Sequence, residues 1–171
     1  MKILRSHSAD EFVNWSGSLR FTPATRVWPV NEEAISAFVQ DAAARSRSVR
    51  VVGSGHSSSP LVQTPDILMS MRDQHGLIDY DVAKSQATLG AGTKLHDAGL
   101  ILHSVGLSMQ NLGDVDTQTL AGVISTGTHG SGRKLQNISA TLIGARVVTG
   151  TGEIVEWSIE DQPELIQAAR P

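Results

Sequence analysis

Residues 49–60 read Val-Arg-Val-Val-Gly-Ser-Gly-His-Ser-Ser-Ser-Pro and carry the most information about the fold. The β-branched run at 49–52 predicts a buried strand. Gly53 and Gly55 then allow a sharp turn that brings the backbone close to a ligand, with no Cβ in the way. Successive N–H groups in such a turn can form a concave nest for phosphate oxygens, with His56 at its centre. For this segment alone, a tight turn without a ligand is the alternative.

The spacing of this loop excludes two common nucleotide-binding motifs. A Walker A loop requires G-x-x-x-x-G-K-[ST], and neither that spacing nor the lysine is present. A Rossmann fingerprint requires a third glycine three residues after Gly55, where this chain has Ser58. The loop therefore belongs to neither class.

Composition and charge narrow the class of protein. The 171 residues are enough for one domain or two small lobes. Hydrophobic residues make up 40% of the chain but aromatic residues only 4%, which predicts an aliphatic core. A net charge of -3 without blocks of like charge disfavours nucleic-acid binding. With no cysteine, disulfides and thiolate metal sites are excluded. No membrane span or secretory signal is recognisable, so a cytoplasmic protein is expected.

Apolar periodicity and capping signals predict a mixture of helices and strands. Asn31, Thr93 and Asp161 stand at helix-start signals and are expected to cap three helices. Predicted helices cover 31–44, 93–103, 118–125 and 161–170, and predicted strands cover 49–52, 66–71, 86–91, 141–149 and 153–157. The glycines at 150 and 152 predict a hairpin between the last two strands. This arrangement favours an α+β fold over a regular βαβ winding.

A second glycine-rich segment covers residues 111–132 and ends in Thr-Gly-Thr-His-Gly-Ser-Gly at 126–132. The composition of residues 126–132 provides little hydrophobic driving force for burial, and we expect a bound ligand to order this run. Thr117 or Thr119 at a helix start offers backbone N–H groups to an anion. Taken in isolation, an ordinary loop rich in turn-forming residues is the alternative.

Together the two segments resemble the flavin-binding domain of the vanillyl-alcohol-oxidase family, specifically its sugar-lactone and alditol oxidase branch. Residues 51–57 are similar to the family's pyrophosphate loop, and residues 111–132 to its second flavin segment. Trp15, residues 21–23, residues 27–30 and the turn at 92–95 are similar to further family positions. The resemblance extends over the chain. It implies an α+β, PCMH-type FAD-binding domain of two small α/β subdomains with the flavin between them.

The resemblance also implies the cofactor contacts. FAD would be joined covalently, through its 8α carbon, to His56, whose neutral imidazole is nucleophilic near pH 7. Residues that would hold the pyrophosphate are Val51, Val52, Gly53, Ser54, Gly55 and Ser57. Residues that would line the flavin and its adenosine tail are Asp114, Thr119, Gly122, Thr126, Gly127, Thr128 and His129. Some family members have a hydroxyl residue where this chain has Asp114. Gly113, at a position associated with oxygen access, implies an oxidase rather than a dehydrogenase.

The remaining histidines and carboxylates suggest no separate site. His96 and His103 share a helix face, but two ligands do not make a metal site, and surface positions are expected. For His129 the alternatives are a catalytic base and a packing residue. The Thr-Gly-Thr-His-Gly run that contains it favours a role in the flavin segment. Asp114 and Asp116 have no reason to face each other at i, i+2 spacing. No metal ligand and no catalytic side chain is predicted.

Two classes of function follow from the whole sequence. In the first, residues 1–171 form the FAD-binding domain of an oxidase that removes a hydride from a CH–OH group of a sugar lactone or polyol, with oxygen as acceptor. In the second, the chain is a truncated or non-catalytic FAD-binding module that acts through a partner chain. The family's substrate domain follows the flavin domain, and this chain is expected to lack it and to be inactive alone. The intact pair of motifs favours the first class for the parent protein.

Overall fold

The computed structural model describes residues 4–8 and 10–171, which fall into two units. Unit 1 contains the described residues up to Asp73 together with Arg146–Glu156. Unit 2 contains Gln74–Ala145 and Trp157–Pro171. None of the helices in this described part of the chain has the length and apolar character that a membrane crossing requires.

A four-stranded mixed sheet organises unit 1. The elements are β1 (Leu4–Ser8), β2 (Phe12–Val13), β3 (Arg20–Phe21), β4 (Thr25–Pro29), α1 (Glu32–Ala44), β5 (Val49–Val52) and β6 (Ile67–Ser70). The strand order is β1-β4-β6-β5, in which β4, β6 and β5 are parallel and β1 is antiparallel to β4. The short strands β2 and β3 form a separate antiparallel pair.

Helix α1 forms where the sequence predicts it. Asn31 is the N-cap, and its side-chain oxygen accepts a 2.9 Å hydrogen bond from the backbone N–H of Ala34. The apolar side chains of α1 pack on one face of the sheet. The buried residues of α1 are Ala34, Ile35 and Ala42, with Phe38 and Val39 partly buried. The sheet residues in this core cluster are Val27, Ile67 and Met69. The other face of the sheet meets a second cluster, formed by Phe12, Leu19, Val52 and Leu68.

Strand β5 lies where it was predicted, but the prediction that it is buried is wrong for most of its length. Only Val52 is buried, while Arg50 is exposed and Val51 is 51% exposed. The reason is the strand order, which places β5 at the sheet edge with β6 as its single neighbour. The central residues Ile67–Met69 of β6 are covered on both faces, each about 1% exposed.

Unit 2 is built from small elements around a compact apolar cluster. Its elements are β7 (Leu77–Asp81), β8 (Gln86–Leu89), α2 (Leu95–Ser104), α3 (Leu120–Ile124) and α4 (Pro163–Ala168). Strands β7 and β8 form an antiparallel hairpin. Helix α2 forms close to the predicted range, and its buried side chains are Leu95, Ala98 and Leu102. Leu95 packs with Val123 and Ile138 in the cluster.

The last two strands, β9 (Gly144–Val148) and β10 (Ile154–Ser158), form the predicted hairpin. Its first strand starts later than the sequence predicts, because Ile138–Thr141 form a 3-10 turn instead. Asn137 caps this turn, with its side-chain oxygen accepting from the N–H of Ala140 at 3.0 Å. The mixture of small sheets and separate helices confirms the predicted α+β class.

Two of the predicted helix caps are wrong. Lys94, not Thr93, is the N-cap of α2 and makes no side-chain capping bond. The Thr93 hydroxyl instead donates to the Gly90 carbonyl at 2.7 Å and accepts from the Gly76 N–H at 2.9 Å. The N-cap of α4 is Gln162, not Asp161. The Asp161 carboxylate instead accepts a 2.8 Å hydrogen bond from the Ser158 hydroxyl. Both side chains are used by contacts outside the helix.

Candidate cofactor-binding site

The predicted loop at 53–57 directly follows β5, at the carboxyl end of the parallel part of the sheet. Gly55 has a φ of +70°, which glycine adopts without strain. Its carbonyl oxygen accepts a 2.8 Å hydrogen bond from the Trp15 N–H. A Cβ at Gly55 would lie 3.2 Å from Cζ of Phe12. Open sheets bind ligands beyond the carboxyl ends of their parallel strands, so the loop lies where a ligand is expected.

A buried asparagine holds this loop from the turn between β2 and β3. Asn14 is 4% exposed, and its side-chain nitrogen donates to the Ser57 carbonyl at 3.1 Å. Its side-chain oxygen accepts from the Leu19 N–H at 2.9 Å, which closes its own turn. Sequence reasoning missed Asn14. The available signal was the turn-forming run Asn-Trp-Ser-Gly-Ser at 14–18, which announces a turn but not its distant partner.

His56 lies half-buried between the two held residues of the loop. Its imidazole stacks against the indole of Trp15, with ring centroids 5.4 Å apart and planes 21° apart. Gly53 and Ser54 are exposed at the end of β5, and Ser57 is half-buried. The loop thus combines backbone without side-chain cover and an imidazole that a ligand can reach.

The second predicted part of the site lies in unit 2, where the two ends of segment 111–132 meet. A Cβ on Gly130 would overlap the Leu112 carbonyl oxygen and lie 2.6 Å from the side-chain oxygen of Asn111. A Cβ on Gly113 would lie 3.2 Å from Cγ2 of Thr128. The glycines therefore let the backbones of these two stretches approach each other directly.

Hydroxyl side chains and small residues gather around α3. Thr119, at the N-cap of α3, is 8% exposed and makes no side-chain capping bond. Its hydroxyl oxygen would lie 3.0 Å from a Cβ on Gly122, whose carbonyl accepts from the Thr126 hydroxyl at 2.8 Å. The Thr128 N–H donates to the Val123 carbonyl at 3.2 Å. These bonds fix residues 119–128 as one folded turn.

The other predicted residues of unit 2 lie at its surface. His129 is exposed, with Nδ1 2.9 Å from the Gly130 carbonyl oxygen, and Asp114 is exposed. His96 is also exposed, as predicted, and forms a surface pair with Asp116 at 3.2 Å. Across residues 4–8 and 10–171, no group of three or more His, Asp or Glu side chains is spaced to hold a metal ion.

The structure thus gathers the predicted residues into two sets. Val51–Ser57 belong to unit 1, and Gly113–His129 belong to unit 2. Within each set the backbone is held by specific hydrogen bonds, and glycines stand where an added Cβ would meet neighbouring protein atoms. The exposed glycine-containing loop after β5 fits a dinucleotide, whose pyrophosphate takes backbone N–H donors.

Comparison with known proteins decides the family. The model for the FAD binding domain matches residues 23–158. The chain belongs to the FAD binding domain family. The resemblance found in the sequence is confirmed, and FAD is the cofactor of this domain.

Relatives of this FAD-binding domain include enzymes named for sugar lactones. It is 35% identical over 148 residues to the L-gulono-1,4-lactone dehydrogenase of Mycobacterium tuberculosis, covering 86% of this chain and 35% of that protein. It is 32% identical over 162 residues to the D-arabinono-1,4-lactone oxidase of Candida glabrata, covering 92% of this chain and 31% of that protein. The chain therefore spans about a third of the length of these relatives.

A solved structure supports the fold. The 6-hydroxy-D-nicotine oxidase of Arthrobacter nicotinovorans superposes with a TM-score of 0.77 at 23% identity, over 86% of this chain and 33% of that one. At this identity the likeness concerns the fold alone. It agrees with the α+β architecture of the FAD-binding domain.

Proposed function

We propose that this FAD-binding domain serves an enzyme that oxidises a CH–OH group of a sugar lactone or polyol, with oxygen as electron acceptor. FAD supplies the hydride acceptor when it is bound. The observation that carries the proposal is the loop at 53–57, which is held on both sides of a reachable His56. The names of the relatives support the lactone class, and they favour an enzyme over a non-catalytic module.

In this proposal the two sets of residues divide the cofactor between them. Val51–Ser57 would hold the pyrophosphate, because Gly53 and Ser54 are exposed at the end of β5, where backbone N–H groups suit phosphate oxygens. Asp114, Thr119, Gly122 and Thr126–His129 would line the flavin and its adenosine tail. The compact turn around α3 supports this assignment, since its bonds keep those residues together.

We further propose that His56 is the covalent tether of FAD. A neutral imidazole is a competent nucleophile, and its partial exposure leaves it accessible to the cofactor. Forming the bond from a ring nitrogen to the 8α carbon removes one hydrogen from the imidazole and one from the 8α methyl group. The corresponding two electrons and two protons pass to oxygen, which is released as hydrogen peroxide.

The test is acid denaturation of the chain after incubation with FAD in air. We expect yellow, fluorescent flavin to stay with the precipitated polypeptide, and His56→Ala to release it into the supernatant. His103→Ala is the matched control, because its exposed imidazole lies outside the proposed site, and it should retain flavin. Flavin released from the wild-type chain would limit binding to a non-covalent mode, and absence of flavin would contradict cofactor binding.

The choice of oxygen as acceptor rests on Gly113. An added methyl group here would press on Cγ2 of Thr128 at 3.2 Å and fill space beside the proposed flavin contacts. We expect Gly113→Ala to slow reoxidation of the photoreduced flavin by oxygen on the order of tenfold, a barrier change of about 1.4 kcal/mol. Thr128→Ser removes the methyl group that an alanine at position 113 would press on. Gly113→Ala combined with Thr128→Ser therefore tests oxygen access without this packing strain. Unchanged reoxidation in both backgrounds would contradict the assignment.

A further inference from the structure

An exposed tryptophan lies against the proposed tether. The side chain of Trp15 is 73% exposed, and its indole stacks on the His56 imidazole at a centroid distance of 5.4 Å. Single exposed apolar side chains are common on protein surfaces and need no explanation. The 5.4 Å centroid distance and the 21° angle between the two rings, however, make this an offset stacked contact with the one side chain of the loop proposed to react.

Backbone contacts bring the two rings together. The N–H of Trp15 donates to the Gly55 carbonyl at 2.8 Å, and the side chain of Asn14 donates to the Ser57 carbonyl at 3.1 Å. Two consecutive residues of the β2–β3 turn thus hold the residues on either side of His56. These bonds fix the loop backbone, but they do not fix the side-chain torsions of the imidazole.

The torsion that turns an imidazole about its Cβ–Cγ bond has broad minima, so the two backbone bonds alone do not define the ring plane. A stacked aromatic partner restricts this rotation, because the preferred offset arrangement is lost when one ring turns. Reactions that need an aligned nucleophile gain rate from such restriction.

We propose that Trp15 is a positioning residue for His56: the indole face fixes the plane of the imidazole so that a ring nitrogen stays presented to the cofactor. This inference rests on the proposed role of His56 as the tether. Trp15 acts only through His56 and needs no contact of its own with FAD.

Substitutions at Trp15 separate stacking from loop anchoring, because the backbone N–H that bonds Gly55 is kept in every variant. Trp15→Leu removes the aromatic face, while Trp15→Phe keeps one. Leu61→Ala is the matched control, since Leu61 is another apolar side chain of unit 1 that is 66% exposed.

The first readout is independent of FAD. In the FAD-free chain, the ring current of the indole should shift the His56 imidazole C–H resonances upfield. Trp15→Leu should return them downfield, while Trp15→Phe should retain part of the upfield shift and Leu61→Ala all of it. Equal resonances in the wild-type chain and in Trp15→Leu would overturn the stacking contact, whatever the fate of the flavin.

The second readout is the fraction of chain that retains flavin after acid, measured at a fixed early time of incubation with FAD. We expect Trp15→Leu to reduce this fraction on the order of tenfold. The flavin-retaining fraction of Trp15→Phe should stay close to that of the wild type. The thermal unfolding midpoints of both variants should equal that of the wild type. A loss of flavin matched by a lower thermal midpoint would overturn the proposal by making Trp15 a stability residue. If no variant retains flavin, the tether itself is wrong, and the imidazole resonances still decide the positioning contact.

Discussion

At the scale of single residues, Asn14 shows how one buried polar group can organise a site. Its side chain satisfies the Leu19 N–H and the Ser57 carbonyl, which belong to two different turns. A buried hydrogen-bonding group that loses its partner keeps the full penalty of its desolvation. The loop that carries His56 therefore depends on a residue more than forty positions earlier in the chain.

We expect Asn14→Ala to lower the free energy of unfolding by about 1–3 kcal/mol, because it leaves the Leu19 N–H and the Ser57 carbonyl without this partner. Urea denaturation measures the change. The matched control is Ser18→Ala, whose exposed hydroxyl lies 3.2 Å from the same amide nitrogen, and it should change the value by less than about 0.5 kcal/mol. Equal losses in the two variants would contradict the role assigned to Asn14.

Gly130 and Gly150 form a second contrast at the residue scale. A Cβ on Gly130 would overlap the Leu112 carbonyl oxygen, whereas a Cβ on Gly150 meets nothing within 4 Å. Gly130→Ala must displace backbone, and we expect a loss of at least about 2 kcal/mol, in the range of large single-site effects. Gly150→Ala should lie within about 0.5 kcal/mol of the wild type. Thermal unfolding compares the two, and a tolerated alanine at 130 would show that the two stretches do not touch.

At the scale of elements, a carboxylate joins the starts of two neighbouring parallel strands. Asp66, just before β6, accepts 3.0 and 2.8 Å hydrogen bonds from the backbone N–H and the hydroxyl of Ser48, just before β5. These two bonds, with the backbone bond the larger, lower the pKa of Asp66 below its ordinary value, and the charge of Arg47 adds to the effect. Partial desolvation opposes the shift without reversing it.

A lowered pKa in the folded state means that the ionised carboxylate stabilises the fold. This contribution is complete above the ordinary aspartate pKa of about 3.9 and is lost as the pH falls through the lower pKa of the folded state. We expect Asp66→Asn to flatten the loss of stability between pH 5 and about pH 3. Urea unfolding across that range measures it, with the exposed Asp10→Asn as control. Parallel pH profiles for the wild type and Asp66→Asn would contradict the assignment.

Elements determined by local signals could be predicted, and those determined by distant partners could not. Helix α1 was predictable because its cap and its apolar stripe lie within one stretch of sequence. Thr93 was misassigned as a cap because its hydroxyl bonds Gly76, seventeen residues earlier. The exposure of β5 follows from the order of strands in the sheet, which no local pattern encodes.

The candidate site follows the same rule. The two glycine-rich loops could be located, because glycine spacing and a family resemblance are visible in the sequence, and the cofactor contacts of their residues stay a prediction. What could not be predicted is what holds them, namely the contacts of Asn14 and Trp15 with the first loop and the approach of Gly130 to Leu112 in the second. Each of these joins segments that are separated in the chain.

At the scale of the whole molecule, the chain returns to unit 1 after building much of unit 2. Residues 146–156 belong to unit 1, where Val148 packs on the core. Within that unit, Arg146 pairs with Glu32 at 2.5 Å, and the Ser36 hydroxyl donates to the Gly152 carbonyl. The family match extends through this hairpin to residue 158, so the returning segment is part of the FAD-binding domain itself.

Mass spectrometry after tryptic digestion locates the flavin on the polypeptide and so tests His56 as its tether most directly. Cleavage after Arg50 and Arg72 yields a peptide, residues 51–72, in which His56 is the only histidine. After incubation of the chain with FAD in air, we predict that this peptide carries the added mass of the flavin cofactor. Flavin found on residues 95–133, which contain His129, or found only in free form, would contradict the assignment of His56 as the tether.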